Sequence, residues 1–245
     1  MRSANMSQKQ RVEIVVPRLV QAYLRVNPQP VIETARKGAS ILREDDFADH
    51  SMLLLEGWAA LSKMLPEGET QIIDVLLPGD FALIGALHAS VAACSVEALS
   101  DIRYVNIRRA QINGDGPEMA NLRELAAAEI VHTQARTAEL LLRLGRGSAA
   151  SRIAYALLEF YIRLETIGLT DGNRFVFPMT QRKFGQFTGL SNVHVCRTLR
   201  RYERDGIVSH PAPSEIALND LNALCEAAGI DLDTFRQEIL LQRST

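Results

Sequence analysis

The stretch NVHVCRTLRRYER, Asn192 to Arg204, holds four arginines against one acid, Glu203. An arginine guanidinium is a rigid fork of donors that meets two acceptors at once, either two phosphate oxygens or O6 and N7 of a guanine. Asparagine pairs with adenine in the same two-point manner. Wound into an α-helix, the stretch brings Val195, Leu199 and Tyr202 to one side at steps of four and three. Asn192, Val193, His194, Cys196, Arg197, Arg200 and Arg201 face largely elsewhere. Such a helix rests on its own core and offers cations to a polyanion. The major groove of DNA admits a helix of this kind, first turns toward the base edges. Arg200 and Arg201 point about 100° apart, so at least one of them meets a phosphate or solvent. A merely solvated helix face and an acidic protein partner are the competing explanations.

The basic charge is local. From Met179 to Arg204 there are six basic residues and one acid, a segment of +5. The rest of the chain has 21 basic against 28 acidic residues, and the whole 245-residue chain is −2. A basic footprint on an acidic body suits a polyanion met by one face only.

The elements that must hold this helix are marked by caps and turns. Ser191 caps it and Gly206 ends it; before it, Thr180 caps a helix reaching about Thr188, and Gly189 supplies the turn between. Phe184 and Phe187 of that first helix give Val195, Leu199 and Tyr202 a surface to pack on, while Arg182 and Lys183 lie where phosphates would run. Behind them, IVSHPAPSEIAL has two strand-like ends around a proline-containing loop. Two short helices across a glycine turn, then a hairpin, is the pattern of a winged helix-turn-helix.

Upstream the texture changes. NRFVFP predicts a short strand, and a helix before it shows one apolar face of Ile153, Leu157, Phe160, Tyr161 and Leu164, capped by Ser148 and stopped by Gly168. A longer helix is expected from about Pro117 to Leu144, with Met119, Leu122, Ala126, Ile130, Thr133, Thr137, Leu141 and Leu144 at steps of three and four. Threonine and alanine dilute that seam, so a buried helix and a dimerising one both remain open. From about Val31 to Ile112 short apolar runs alternate with turns at Pro66–Glu69 and Leu77–Asp80, as in a sandwich or rolled barrel. One helix, around PRLVQAYLRV, precedes them, and Leu232, Phe235 and Ile239 line one face of a last helix that packs back or meets a second subunit.

TQRKFGQFTGLSNVHVCRTLRRYERDGIV resembles the recognition motif of the Crp/Fnr family of bacterial transcription regulators: helix, glycine turn, a helix carrying Val-x-Arg-Thr-Leu, and a closing Asp-Gly-Ile-Val. LLEGWAALSKMLPEGETQIIDVLLPGDF resembles that family's β-roll sensor domain, and RGSAASRIAYALLEFYIRL its linking helix. The resemblance runs roughly from Ala35 to Leu218. It implies an α+β fold with a cyclic-nucleotide-binding-like β-roll with its N-terminal helix at 1–116, a long dimerisation helix at 117–145, and a winged helix-turn-helix domain with an extra C-terminal helix at 146–245. It further implies a homodimer on a palindromic site of double-stranded DNA, with RNA polymerase as a partner. Expected DNA contacts are Thr180, Gln181, Arg182, Ser191, Asn192, Val193, His194, Arg197, Arg200 and Arg201, with Arg197 at the family's guanine-reading position. Where the family often carries a glutamate stands Val193, which accepts nothing from cytosine but suits a thymine methyl. The expected half-site is therefore related to the family's usual one without being the same.

The signal is less legible. Cyclic-nucleotide sensors of the family clamp the phosphate with an arginine, and none occurs here between Phe81 and Asp101, so its charge would be left uncompensated. The family's iron–sulfur members need about four cysteines, several near the N-terminus; here there are only Cys94, Cys196 and Cys225. His88 and Cys94 in the sensor stretch are the residues to which a haem would look, yet a lone histidine is more often a surface or core residue than a ligand. No cofactor or metal is expected, and no catalysis, since the five histidines are scattered and no phosphate loop or Gly-x-Ser-x-Gly turn occurs. Cys196, beside Arg197 near a helix start, is a candidate redox switch. A cyclic-nucleotide-gated or redox-gated family member is the alternative kept open. No stretch is long and apolar enough to span a bilayer, and odd, scattered cysteines and a first segment without an apolar core point to a reducing cytoplasm.

Overall fold

The computed structural model describes residues 16–240, apart from 83, 84, 87, 88 and 113. Helix α1 (Arg18–Val26) leads into ten strands: β1 (Glu33–Ala35), β2 (Ser40–Leu42), β3 (His50–Glu56), β4 (Ala59–Met64), β5 (Thr70–Leu76), β6 (Phe81–Ala82), β7 (Gly85–Ala86), β8 (Ala89–Ala92), β9 (Ser95–Ala98) and β10 (Ile102–Arg108). Helix α2 (Arg109–Ile112), the long α3 (Pro117–Arg146) and α4 (Ala149–Thr166) follow. The C-terminal unit is β11 (Thr170–Asp171), β12 (Arg174–Val176), α5 (Gln181–Thr188), α6 (Asn192–Arg204), β13 (Val208–Ser209), β14 (Glu215–Leu218), α7 (Leu221–Ala228) and α8 (Leu232–Leu240). The fold is α+β, a β-roll joined by a long helix to a helix-turn-helix unit.

The roll consists of two facing four-stranded antiparallel sheets, ordered β1-β10-β3-β6 and β2-β9-β4-β5, with β7 and β8 as a small pair. The apolar run SMLLLEGWAALSKML, legible as one stretch, is split between the two sheets. Gly57 turns the chain at φ +84°, a conformation natural to glycine, and a Cβ there would strike the Asp101 carbonyl. Met52, Leu54, Leu61, Leu76, Val96 and Ile102 fill the space between the sheets, together with Cys94.

The long helix has two sides with different company. Leu122 and Ala126 are buried with α1 and the outer face of the roll, beside Tyr23, Leu53 and Val105. Ile130, Val131, Leu141 and Leu142 are exposed. The single seam expected from spacing is therefore two: its N-terminal members pack within the chain, while Ile130, Thr137 and Leu141 face out.

Helix α4 is the centre of the molecule. Every residue from Ile153 to Leu164 is buried, so the single apolar face expected for it is instead a belt all round, and Glu159 and Arg163 are enclosed within it. Trp58 of the roll lies edge-on to Phe160 at 5.1 Å and to Phe177 at 6.1 Å, making one core continuous from roll to C-terminal unit. The tail folds back on its own chain as two helices where one was expected. Phe235 lies 4.9 Å from the Tyr155 ring, Arg143 donates to the Ala228 carbonyl at 3.0 Å, and Arg236 pairs with Glu165 at 2.6 Å.

Candidate nucleic-acid interface

The helix-turn-helix is built from the caps its sequence advertises. The Thr180 hydroxyl accepts from the Lys183 amide at 3.2 Å, and that of Ser191 accepts from the His194 amide at 3.4 Å. The Ser191 hydroxyl also lies 2.9 Å from His194 Nδ1, which helps to hold the first turn of α6. Gly189 closes α5 at φ +64°. A Cβ there would come 2.7 Å from Leu144 Cδ2, so the turn nests against the end of α3. Val195, Leu199 and Tyr202 are buried with Phe184 and Phe187. The Tyr202 hydroxyl donates to the Ala150 carbonyl at 2.9 Å, fixing α6 to the start of α4, and burial pushes its ionisation up.

The expected contact residues remain outside. Thr180, Gln181, Arg182, Ser191, Asn192, Val193, His194, Arg197, Arg200 and Arg201 are all exposed. Asn192, Val193, Cys196, Arg197, Arg200, Arg201 and Arg204 line a shallow concavity of about 550 Å³ along α6. Among the described residues Arg182, Arg197, Arg200 and Arg201 enter no ion pair with an acid, so their charge is available to a ligand. Arg201 lies over the Tyr202 ring at 5.7 Å, leaning along the helix. Val193 is 63% exposed, an isopropyl group held toward whatever α6 meets. Cys196 is half-buried beside it.

Lys183 departs from expectation. Its ammonium pairs with Glu97 of β9 at 2.6 Å, so it serves the joint between α5 and the roll, as do Gln71 Nε2 to the Phe187 carbonyl (3.2 Å) and Lys37 Nζ to the Pro178 carbonyl (2.9 Å). Sequence reasoning also passed over Arg152, whose Nε donates to the Gly147 carbonyl at 2.9 Å and whose Nη1 reaches the Gly189 carbonyl at 3.3 Å, tying the turn to α4. It missed Glu159 and Arg163 too, although a Glu and an Arg four apart inside an apolar run are a visible signal.

The sequence from Phe81 to Asp101 has no arginine to meet a cyclic phosphate, and the Asp80 carboxylate of the Leu77–Asp80 turn is engaged by Arg163. Among the described residues no three metal-ligating side chains converge, His50 and His132 lie beside Asp49 and Glu129, and Cys94 is buried. His88 lies outside the described residues. No described helix is long and apolar enough to cross a membrane.

These two units have known counterparts. The family model of the cyclic nucleotide-binding domain matches residues 32–114, and that of the Crp-like helix-turn-helix domain matches residues 135–227. The nitrogen fixation regulation protein FixK of Azorhizobium caulinodans is 30% identical over 192 residues, covering 77% of this chain and 75% of that one. The transcriptional activator FnrL of Cereibacter sphaeroides is 25% identical over 80% of this chain and 79% of its own. The solved structure of FixK2 from Bradyrhizobium japonicum superposes with a TM-score of 0.68 at 25% identity, over 80% of this chain and 96% of that one. The chain belongs to the Crp/Fnr family of transcription regulators, with a helix-turn-helix DNA-binding domain.

Proposed function

We propose that this regulator works as a homodimer. Paired α3 helices would present two copies of α6 to successive major grooves of a palindromic duplex, with half-sites about one helical turn apart. Residues 1–116 form the sensor unit, 117–145 the dimerisation helix and 146–245 the DNA-binding unit. Arg197 reads a guanine and Asn192 an adenine, Val193 touches a thymine methyl, and Thr180, Gln181, Arg182, Ser191, His194, Arg200 and Arg201 set the register on phosphates. The observation that carries this is the α6 surface itself: three arginines without acid partners beside an exposed asparagine and valine, on a chain that is otherwise acidic. RNA polymerase is the partner that such a bound dimer would contact, in the bacterial cytoplasm, and no enzymatic step is assigned.

The test is a selection of bound duplexes from a random pool with reduced, ligand-free protein, followed by a salt titration on the winner. A two-fold symmetric site for which log affinity falls linearly with log salt is the expected outcome. Weak, sequence-blind binding would overturn direct readout by α6.

A further inference from the structure

Five charged side chains meet where the roll, α3 and α4 come together. Arg136 of α3 donates to Asp74 of β5 at 3.1 Å. Arg163 of α4 donates to the Asp80 carboxylate, to Glu159 Oε1 at 3.0 Å and to the Val75 carbonyl at 2.9 Å. All five are withdrawn from water: Asp80 is the most exposed, at 13% of its side chain, and Glu159 retains 2%. Fully ionised, the group would hold three carboxylates against two guanidiniums, an uncompensated charge in a place where each ion is costly to desolvate.

The hydrogen bonds show which acid differs. Asp74 receives the Val75 amide at 2.9 Å besides Arg136, and Asp80 receives the Leu77 amide at 2.7 Å besides Arg163. Among the described residues Glu159 receives one bond only, and its Oε2 is buried without a partner. A buried acid with an orphaned oxygen is the one that neutralises. The groups facing it are Asp74 from β5, Asp80 from the turn, Arg136 from α3, and Arg163 on its own helix. One turn back on α4 lies Tyr155, on which Glu139 and Arg143 of α3 and Glu238 of α8 also act.

We infer that Glu159 stands in the assembled protein as a neutral carboxyl. It is the proton-carrying member of a clamp (Asp74, Asp80, Arg136, Glu159, Arg163) that positions the DNA-binding unit on the roll, and docking of the two units takes up one proton from solvent. In the same direction, burial raises the Glu159 ionisation above its ordinary value of 4.5, and Arg163 and Arg136 do not cancel that rise. The docked arrangement leaves the α6 surface free, so it is the DNA-competent one, and separating the units lets Glu159 ionise and release its proton.

The sign follows from linkage. Below pH 4.5 the folded and unfolded chains both hold the proton. As pH rises the unfolded chain ionises first, so stability present in acid is lost toward the raised folded value. Thermal unfolding of wild type and Glu159→Gln from pH 5 to 8.5 should show the variant gaining over wild type as pH rises, until the raised folded value is passed. A difference independent of pH, or a variant deficit that grows with pH, would overturn the neutral carboxyl. Should the variant fold poorly, ¹³C-glutamate NMR of wild type decides, a carboxyl resonance ionised at pH 7 for every glutamate being the contrary result. A second arm rests on the proposed function. On the selected duplex, wild-type affinity should fall between pH 6 and 8.5 by up to about tenfold per unit more steeply than that of Glu159→Gln. His194 and His210 are common to both proteins and cancel, and parallel profiles would overturn the positioning role. If neither protein binds any duplex, the DNA-reading proposal fails while the stability profiles still decide the clamp.

Discussion

At the scale of the residue, Val193 sets the most specific expectation. It stands one turn before Arg197 and has no polar atom beyond its backbone, so a base-edge methyl is its natural contact. Replacing thymine by uracil removes that methyl and nothing else. At one position of the selected half-site this substitution should weaken the wild type by about fourfold, the worth of one buried methyl-sized group at ~0.8 kcal/mol. Val193→Ala should lose that discrimination. If no thymine shows a uracil effect that depends on Val193, the contact is elsewhere. Arg197→Ala should cost about 1–3 kcal/mol and relax preference at a single base pair. Arg200→Ala or Arg201→Ala should instead weaken all duplexes alike and reduce the salt slope by about one. Cys196 is half-buried on the same surface, and a sulfenic acid there would add bulk and polarity against DNA. Mild peroxide should therefore release wild type from its duplex and spare Cys196→Ser, and equal loss from both would remove the thiol from the control of binding.

At the scale of the element, the turn between α5 and α6 couples reading to the long helix. Ala at position 189 would adopt a left-handed backbone at about 1–2 kcal/mol and push its Cβ into Leu144. Gly189→Ala should lower the melting temperature by several degrees, with DNA affinity falling further than stability alone explains. An unchanged midpoint would mean the turn relaxes freely. The helix-turn-helix was legible because caps, glycine turn and apolar spacing are all local: Thr180, Ser191, Gly189 and the Val195–Leu199–Tyr202 face sit where their residue types require. The same locality hid what depends on partners distant in the chain. Lys183 looks like a phosphate contact until Glu97, 86 residues away, is brought beside it. Helix α4 shows one apolar face by spacing but is buried all round, because α7 and α8 close the side that a shorter chain would leave wet. Gly57 likewise divides an apolar run between two sheets, which no alternation within the run announces.

At the scale of the whole molecule, a single chain leaves several apolar residues uncovered on the outward side of α3. Leu141 is 70% exposed and Leu142 50%, about three turns beyond Ile130 and Val131 on the same long helix. Apolar residues repeated over that length of a helix are seldom left in water, and a two-fold axis along α3 would cover them with their own copies. Leu144, by contrast, is turned inward against Gly189, so the end of α3 is gripped by the DNA-binding unit while its outer side faces away. A substitution on the outer side should therefore separate the subunits of the proposed dimer without loosening the turn. Leu141→Glu with Leu142→Glu should give a monomer by sedimentation, with the wild-type circular dichroism and an unaltered pH profile of stability, since the charged clamp lies within one chain. On the palindromic duplex that monomer engages one half-site, so its phosphate contacts are halved. The slope of log affinity against log salt should fall to about half that of wild type, with sequence preference retained within the half-site. A double variant that still sediments as a dimer would move the two-fold axis off this face of α3, and one that binds the full palindrome with the wild-type slope would show that the second copy of α6 adds nothing.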